Sequence, residues 1–120
     1  MKTSKLLVLA SKIEESNCGS ETLDASLADV FDPPETLYAG PPPPYTKSID
    51  NAATLARKAG GFIVTMGDIV ADGLPGACIC ISTDPVREVW GVSTGGGAEN
   101  ERLARALCAA ALRAFAYGKE

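Results

Sequence analysis

The chain has 120 residues, of which 46% are hydrophobic and 22% charged, and its formal net charge is −4. A single domain over residues 1–120 can bury roughly two-thirds of its unfolded surface, so its core needs neither a metal nor a disulfide. The acidic balance argues against a nucleic-acid duplex or an anionic membrane surface as the main partner. No stretch approaches the roughly 18 apolar residues of a membrane span. The apolar run at residues 6–10 is shorter than that of an export signal, so we do not expect a signal peptide.

Two amphipathic helices are predicted at the start of the chain. Apolar residues recur at helical spacing over residues 3–16, and the sequence at residues 17–19 is a helix stop signal. Ser20 can cap a second helix, because its side-chain oxygen can accept a hydrogen bond from a free amide of the next turn. The prolines that follow Asp32 end that helix.

Residues 33–45 hold six of the eight prolines. Proline cannot supply the hydrogen bonds of a strand ladder, so this segment is predicted to be an extended, polyproline-like connecting arm. Its end also contains the PPxY pattern that WW domains bind. The arm is therefore either a stiff connector or a ligand for a protein partner.

A small sheet is predicted after a third helix, which Ser48 can cap and which covers residues 49–59. Residues 61–93 concentrate the β-branched and aromatic residues of the chain, and turn formers divide them into three strands. The connectors are too short for parallel crossovers, which need a dozen or more residues. The predicted fold class is α+β, a three-stranded antiparallel meander packed with three to four helices in a layered α/β sandwich.

The last helix is predicted over residues 98–117 and carries the broadest apolar arc of the chain, which predicts the best-buried helix. Arg102, Arg105 and Arg113 align along its polar stripe. We expect Leu112, at the border between arc and stripe, to lie at a two-fold contact. Exposed sheet edges and leftover apolar surface predict a homodimer or a higher homo-oligomer.

A glycine-rich loop precedes this helix and is the best candidate for a ligand site. A loop that enters a helix N-terminus presents free amides and the positive end of the helix dipole, which suit a phosphate, and glycine admits close approach. The loop lacks a Walker or GxGxxG pattern, Glu99 and Glu101 compete for the arginines, and a flexible linker is the alternative. The candidate ligand-binding residues are Ser93, Thr94, Gly95, Gly96, Gly97, Arg102 and Arg105, with Trp90 for base stacking.

Catalysis is weakly supported by the sequence. There is no histidine to act as a base near neutral pH, and the carboxylates near the predicted turns match ordinary turn chemistry. The four cysteines are scattered and form no CxxC pair, so we expect no zinc site and predict reduced, core-filling thiols. We predict a protein that is not an enzyme and uses no cofactor.

Three segments resemble a known family. They are LASKIEESNCGSETLDASLADVF (9–31), PPYTKSIDNAATL (43–55) and ARALCAAALRAFA (104–116). In this order they are similar to segments of the small bacteriophage proteins of the phage ABA sandwich domain family. The hydrophobic strands and the Ser-Thr-Gly-Gly-Gly stretch depart from the family pattern.

The resemblance implies a layered α/β phage protein that works in the cytoplasm of the infected bacterial host. The family's activity is largely unassigned. Small non-enzymatic phage proteins often act against host immunity, and some sequester nucleotide-derived signals. Our first functional hypothesis is accordingly a sponge for such a signal. The alternative is a protein-interaction adaptor, or a minor virion component, that uses the proline-rich arm.

Overall fold

The computed structural model describes residues 3–31, 43–68, 75–81 and 87–118. The elements in chain order are α1 (Thr3–Glu15), α2 (Glu21–Phe31), α3 (Ile49–Lys58), β1 (Gly61–Asp68), β2 (Pro75–Ile81), β3 (Arg87–Val92) and α4 (Glu99–Gly118). The strands lie in the order β1-β2-β3 and both pairs are antiparallel. The predicted α+β class and the meander are therefore confirmed.

Helix α4 is the centre of the fold. Every residue from Ala104 to Leu112 is buried, and the helix packs against α1, α3, β2 and β3. The expectation that Leu112 lies at a surface contact is wrong, because its side chain is fully buried. The expectation of a solvated arginine stripe is wrong for Arg105, which is also fully buried.

The two faces of the sheet differ. Ala77, Ile79 and Val89 belong to the hydrophobic core, and Gly91 lies directly against the backbone of α4. Side chains alternate along a strand, so Trp90 projects from the opposite face. That outer face carries exposed apolar side chains, among them Phe62 and Val64.

Side-chain caps begin α2 and α3 as predicted. Ser20 Oγ accepts a hydrogen bond from the Leu23 amide at 3.1 Å, and Ser48 Oγ accepts one from the Asn51 amide at 3.4 Å. After α3, Gly60 adopts a φ of 83°, a left-handed conformation that glycine reaches without strain. The chain then enters β1 directly.

A buried polar cluster ties α2 to the segment that precedes α3. Asp24 Oδ1 accepts hydrogen bonds from the Thr46 amide at 2.9 Å and the Thr46 hydroxyl at 2.7 Å. The same hydroxyl oxygen accepts one from the Ser20 amide at 3.1 Å. Close by, the Cys108 thiol donates to the Tyr45 carbonyl at 3.2 Å. Burial, with a smaller contribution from Asp24, raises the pKa of Cys108 well above its ordinary value.

Replacing Thr46 by valine should lower the free energy of unfolding by about 2 kcal/mol. Valine keeps the shape of threonine but removes the hydroxyl, which leaves the Ser20 amide without this acceptor and Asp24 with one hydrogen bond fewer. Urea denaturation followed by circular dichroism measures the change. Thr22→Val, at an exposed position of α2, is the matched control. Equal stability of the two variants would contradict the role of the cluster.

Two sequence predictions fall on residues that the structure does not describe. The proline-rich arm is described only from residue 43 onward, and residues 69–74 and 82–86 of the segment predicted to form the sheet lie outside the described residues. Where the arm rejoins the described chain, the Tyr45 side chain is buried.

Candidate anion-binding site

The loop between β3 and α4, residues 93–98, is held at its first two residues. The Ser93 amide donates to the Pro75 carbonyl at 3.0 Å, and the Thr94 amide donates to the Glu14 carbonyl at 2.9 Å. The Thr94 hydroxyl donates to that same carbonyl at 3.1 Å. These three hydrogen bonds fix the start of the loop to β2 and α1, so it is not a free linker.

Two of the three loop glycines are required by the local backbone. A Cβ atom at Gly95 would lie 1.8 Å from the Ser16 carbonyl oxygen, so only glycine lets the loop approach the end of α1 this closely. Gly97 adopts a φ of 104°, which strains any residue with a side chain. Gly96 is different, because the nearest heavy atom to a Cβ there is 3.8 Å away.

Arg105 lies beneath the loop and is the most unusual residue of the site. Its side chain is 0% exposed, and its Nη2 donates a hydrogen bond to the Gly96 carbonyl. A Cβ at Gly97 would lie 3.6 Å from the same Nη2. Within the described residues, Nε and Nη1 of Arg105 have no hydrogen-bond partner. Most of the donor capacity of this guanidinium is therefore unused by the protein.

The electrostatics of Arg105 follow from its burial. Burial lowers the pKa of its guanidinium, Glu101 and Cys18 act to raise it, and Arg102 lowers it. Arginine nonetheless stays protonated at neutral pH. A buried polar group without a partner costs about 1–3 kcal/mol, and more when the group is charged. Because both nitrogens are buried in this conformation, an anion could accept hydrogen bonds from Nε and Nη1, and so recover that cost, only after the loop above Arg105 had moved.

Two more buried donors lie in the loop and the start of α4. They are Ser93 Oγ and Arg102 Nε, and neither has a partner within the described residues. The Arg102 amide makes the first bond of the helix, to the Ala98 carbonyl at 3.0 Å. The amides that precede it in the first turn donate to no described side chain, whereas amides of α2 and α3 donate to Ser20 and Ser48. Glu101 opposes an anion here, since its Oε2 lies 3.4 Å from a Cβ placed at Gly97.

A shallow groove of about 330 Å³ adjoins the loop on the side of the connector between α1 and α2. Its lining residues are Lys12, Ser16, Asn17, Cys18, Ser20, Thr22 and Leu23. The groove and loop meet at Asn17, whose carbonyl oxygen lies 3.5 Å from a Cβ placed at Gly97. Sequence patterns do not identify these residues as part of a site, because the only signal at 17–19 is that of a helix end.

Trp90 is not brought to this site. Its neighbours Val89 and Gly91 face the core and α4, so its side chain projects from the face of the sheet away from α4 and is partly exposed. Its carbonyl accepts a hydrogen bond from Arg113. The structure thus brings together Gly96, Gly97 and Arg105, and separates the predicted stacking residue from them.

The described residues contain no group of three or more His, Cys, Asp or Glu side chains that could hold a metal ion. No helix among them is long and apolar enough to cross a membrane. All four cysteines are free thiols, and Cys18 is the exposed one.

Comparison of the chain with protein-family models, curated proteins and solved structures found no match in any of the three.

Proposed function

We propose that this protein binds a small phosphate-bearing ligand at the loop of residues 93–98 and the start of α4, without chemically transforming it. The observation that carries the proposal is Arg105, a fully buried guanidinium whose Nε and Nη1 have no partner in the described protein. Guanidinium groups bind phosphate oxygens through paired N–H donors. The atoms proposed to hold the phosphate are Nε and Nη1 of Arg105, with the Arg102 side chain beside them.

The surroundings of Arg105 also support a phosphate. Helix N-termini bind phosphates through free amides and the helix dipole, and Gly96 leaves room for close approach. The adjoining groove offers open space beside the loop, and Lys12, one of its lining residues, adds a positive charge. The ligand class is therefore a small nucleotide-like molecule rather than a nucleic-acid duplex.

The biological setting of the proposal rests on the resemblance to the phage ABA sandwich domain family. We propose a non-enzymatic bacteriophage protein that sequesters a nucleotide-derived host immune signal in the cytoplasm of the infected bacterium. A protein that sequesters a signal molecule needs affinity for that molecule and does not need to convert it. The buried donors described above supply the means of binding.

The alternative, an adaptor that uses the proline-rich arm, receives less support. The tyrosine of its PPxY pattern is Tyr45, whose side chain is 2% exposed. A WW domain could not bind this tyrosine without displacing it from the core. Residues 33–42 of the arm lie outside the described residues, and no described contact favours the adaptor.

Calorimetric titration with inorganic phosphate, pyrophosphate and a panel of cyclic nucleotides tests the proposal. We expect at least one of these to bind, and Arg105→Gln to weaken its binding about tenfold or more, because a hydrogen bond to a charged group contributes about 1.5–3 kcal/mol. Glu101→Gln should tighten binding several-fold, since it removes a competing carboxylate beside the loop.

Mass spectrometry of the supernatant after heating protein purified from defence-active cells identifies the natural ligand.

Arg57→Gln is the matched control, because Arg57 is an exposed arginine on α3. It should leave the affinity unchanged. Thermal melts of each variant separate lost binding from lost folding, and Glu101→Gln provides a readout even if Arg105→Gln is unstable. Flat titrations of the wild-type protein against the whole panel, together with no nucleotide in the supernatant, would rule out the sponge.

A further inference from the structure

The outer edge of β3 is occupied by an ion pair. Glu14 Oε2 accepts a hydrogen bond from the Val92 amide at 2.8 Å, and Arg113 Nη1 donates one to the Trp90 carbonyl at 2.7 Å. Arg113 and Glu14 bind each other through two contacts of 2.6 Å. Backbone groups of alternate residues point away from the neighbouring strand. The pair thus takes up backbone groups that an additional strand would need.

By contrast, the outer edge of β1 has no hydrogen-bond partner in the part of the chain that the structure describes. Within the described residues, no side chain and no backbone group outside the sheet forms a hydrogen bond with residues 61–68. The strand spans eight residues and has neither a proline nor a charged residue before Asp68. Natural edge strands are commonly protected by such residues. Among the described residues, this edge has no comparable protection.

The side chains of β1 make the open edge apolar. Phe62 is 56% exposed, Val64 50% and Met66 37%. The register to β2 shifts between Ile63 and Thr65, which leaves Val64 as the extra residue of a bulge. Bulges discourage pairing in many edge strands, but here the bulge presents a valine to solvent and not a charge.

We propose that the β1 edge pairs with the β1 edge of a second copy, antiparallel across a two-fold axis, to form one continuous six-stranded sheet. A two-fold contact is isologous, so a single surface serves both copies. The charges at the two ends of the strand fit this arrangement. Arg57 shortly precedes β1 and Asp68 ends it. Antiparallel pairing sets the acidic end of each strand toward the end of the other that follows the basic last turn of α3.

The proposal is independent of ligand binding and identifies a surface different from the predicted contact at Leu112. It also distinguishes two modes of self-association. A contact through the outer face of the sheet would bury Trp90 and leave the β1 amides unpaired. A contact through the edge pairs those amides.

Sedimentation equilibrium of the full chain tests the edge contact. We expect the wild-type protein to reach twice the 12.4 kDa chain mass, and Val64→Lys to weaken dimerisation about tenfold or more, because two lysines would meet across the axis. Val8→Lys is the matched control. Val8 is an exposed valine on α1, away from the sheet edge, so this variant should dimerise like the wild type.

Hydrogen–deuterium exchange at high and low protein concentration identifies the paired strand. Amides of residues 61–68 should exchange more slowly at high concentration, while those of β3 should not change. A wild-type protein of single-chain mass at high micromolar concentration would overturn the proposal. So would a dimer whose β1 amides exchange equally at both concentrations, or one weakened equally by Val8→Lys and Val64→Lys. Circular dichroism establishes that each variant is folded.

Discussion

Glu14→Ala is expected to lower the free energy of unfolding by about 3 kcal/mol. Glu14 joins three elements, since its carboxylate binds Arg113 of α4 and the Val92 amide of β3 from its own place in α1. Removing one member of a largely buried ion pair leaves the other without compensation, at a cost of about 3–5 kcal/mol. We take the lower end because the Arg113 side chain keeps 25% exposure. Chemical denaturation measures the loss.

Glu15→Ala is the control for this prediction, because Glu15 is the exposed neighbour of Glu14 in the same helix. It should change stability by less than about 0.5 kcal/mol. A double-mutant cycle with Arg113→Ala isolates the energy of the pair itself. If Glu14→Ala and Glu15→Ala proved equally stable, the pair would contribute nothing to the fold.

Gly91→Ala is expected to destabilise the protein by about 3 kcal/mol or more. A Cβ at this position would lie 2.1 Å from the Ala106 carbonyl oxygen and 2.7 Å from the Ala110 nitrogen. Both atoms belong to the backbone of α4, so neither can move aside as a flexible side chain would. The sheet and the helix must separate locally, and overpacking of a tight core costs about 1–3 kcal/mol, occasionally more.

Gly96→Ala provides the comparison, since the space around Gly96 is open and its φ is not in the left-handed region. That variant should retain near wild-type stability, as judged from the midpoint of thermal unfolding. A Gly91→Ala protein that melts at the same temperature as Gly96→Ala would show that β3 and α4 are not in close contact at this point.

Local patterns in the sequence were sufficient for the elements and their connections. The short links between the strand segments excluded parallel crossovers, and the sheet is the predicted meander. Ser20 and Ser48 begin α2 and α3 as caps, because capping depends only on the next turn of the same helix. The apolar arc of α4 also predicted its burial, since helical period and composition are properties of the segment alone.

The surroundings of the polar groups could not be read from those patterns. The 3.6-residue period identifies the apolar side of α4 but does not reveal what covers the opposite side. The glycine-rich loop passes over Arg105 and buries it, and Glu14 meets Arg113 across 99 positions of the chain. Local periodicity carries no information about contacts so distant in sequence. The sequence by itself determined which segments are helix and strand. Only tertiary packing decided that Arg105 is a buried donor and that Arg113 binds the outer edge of β3.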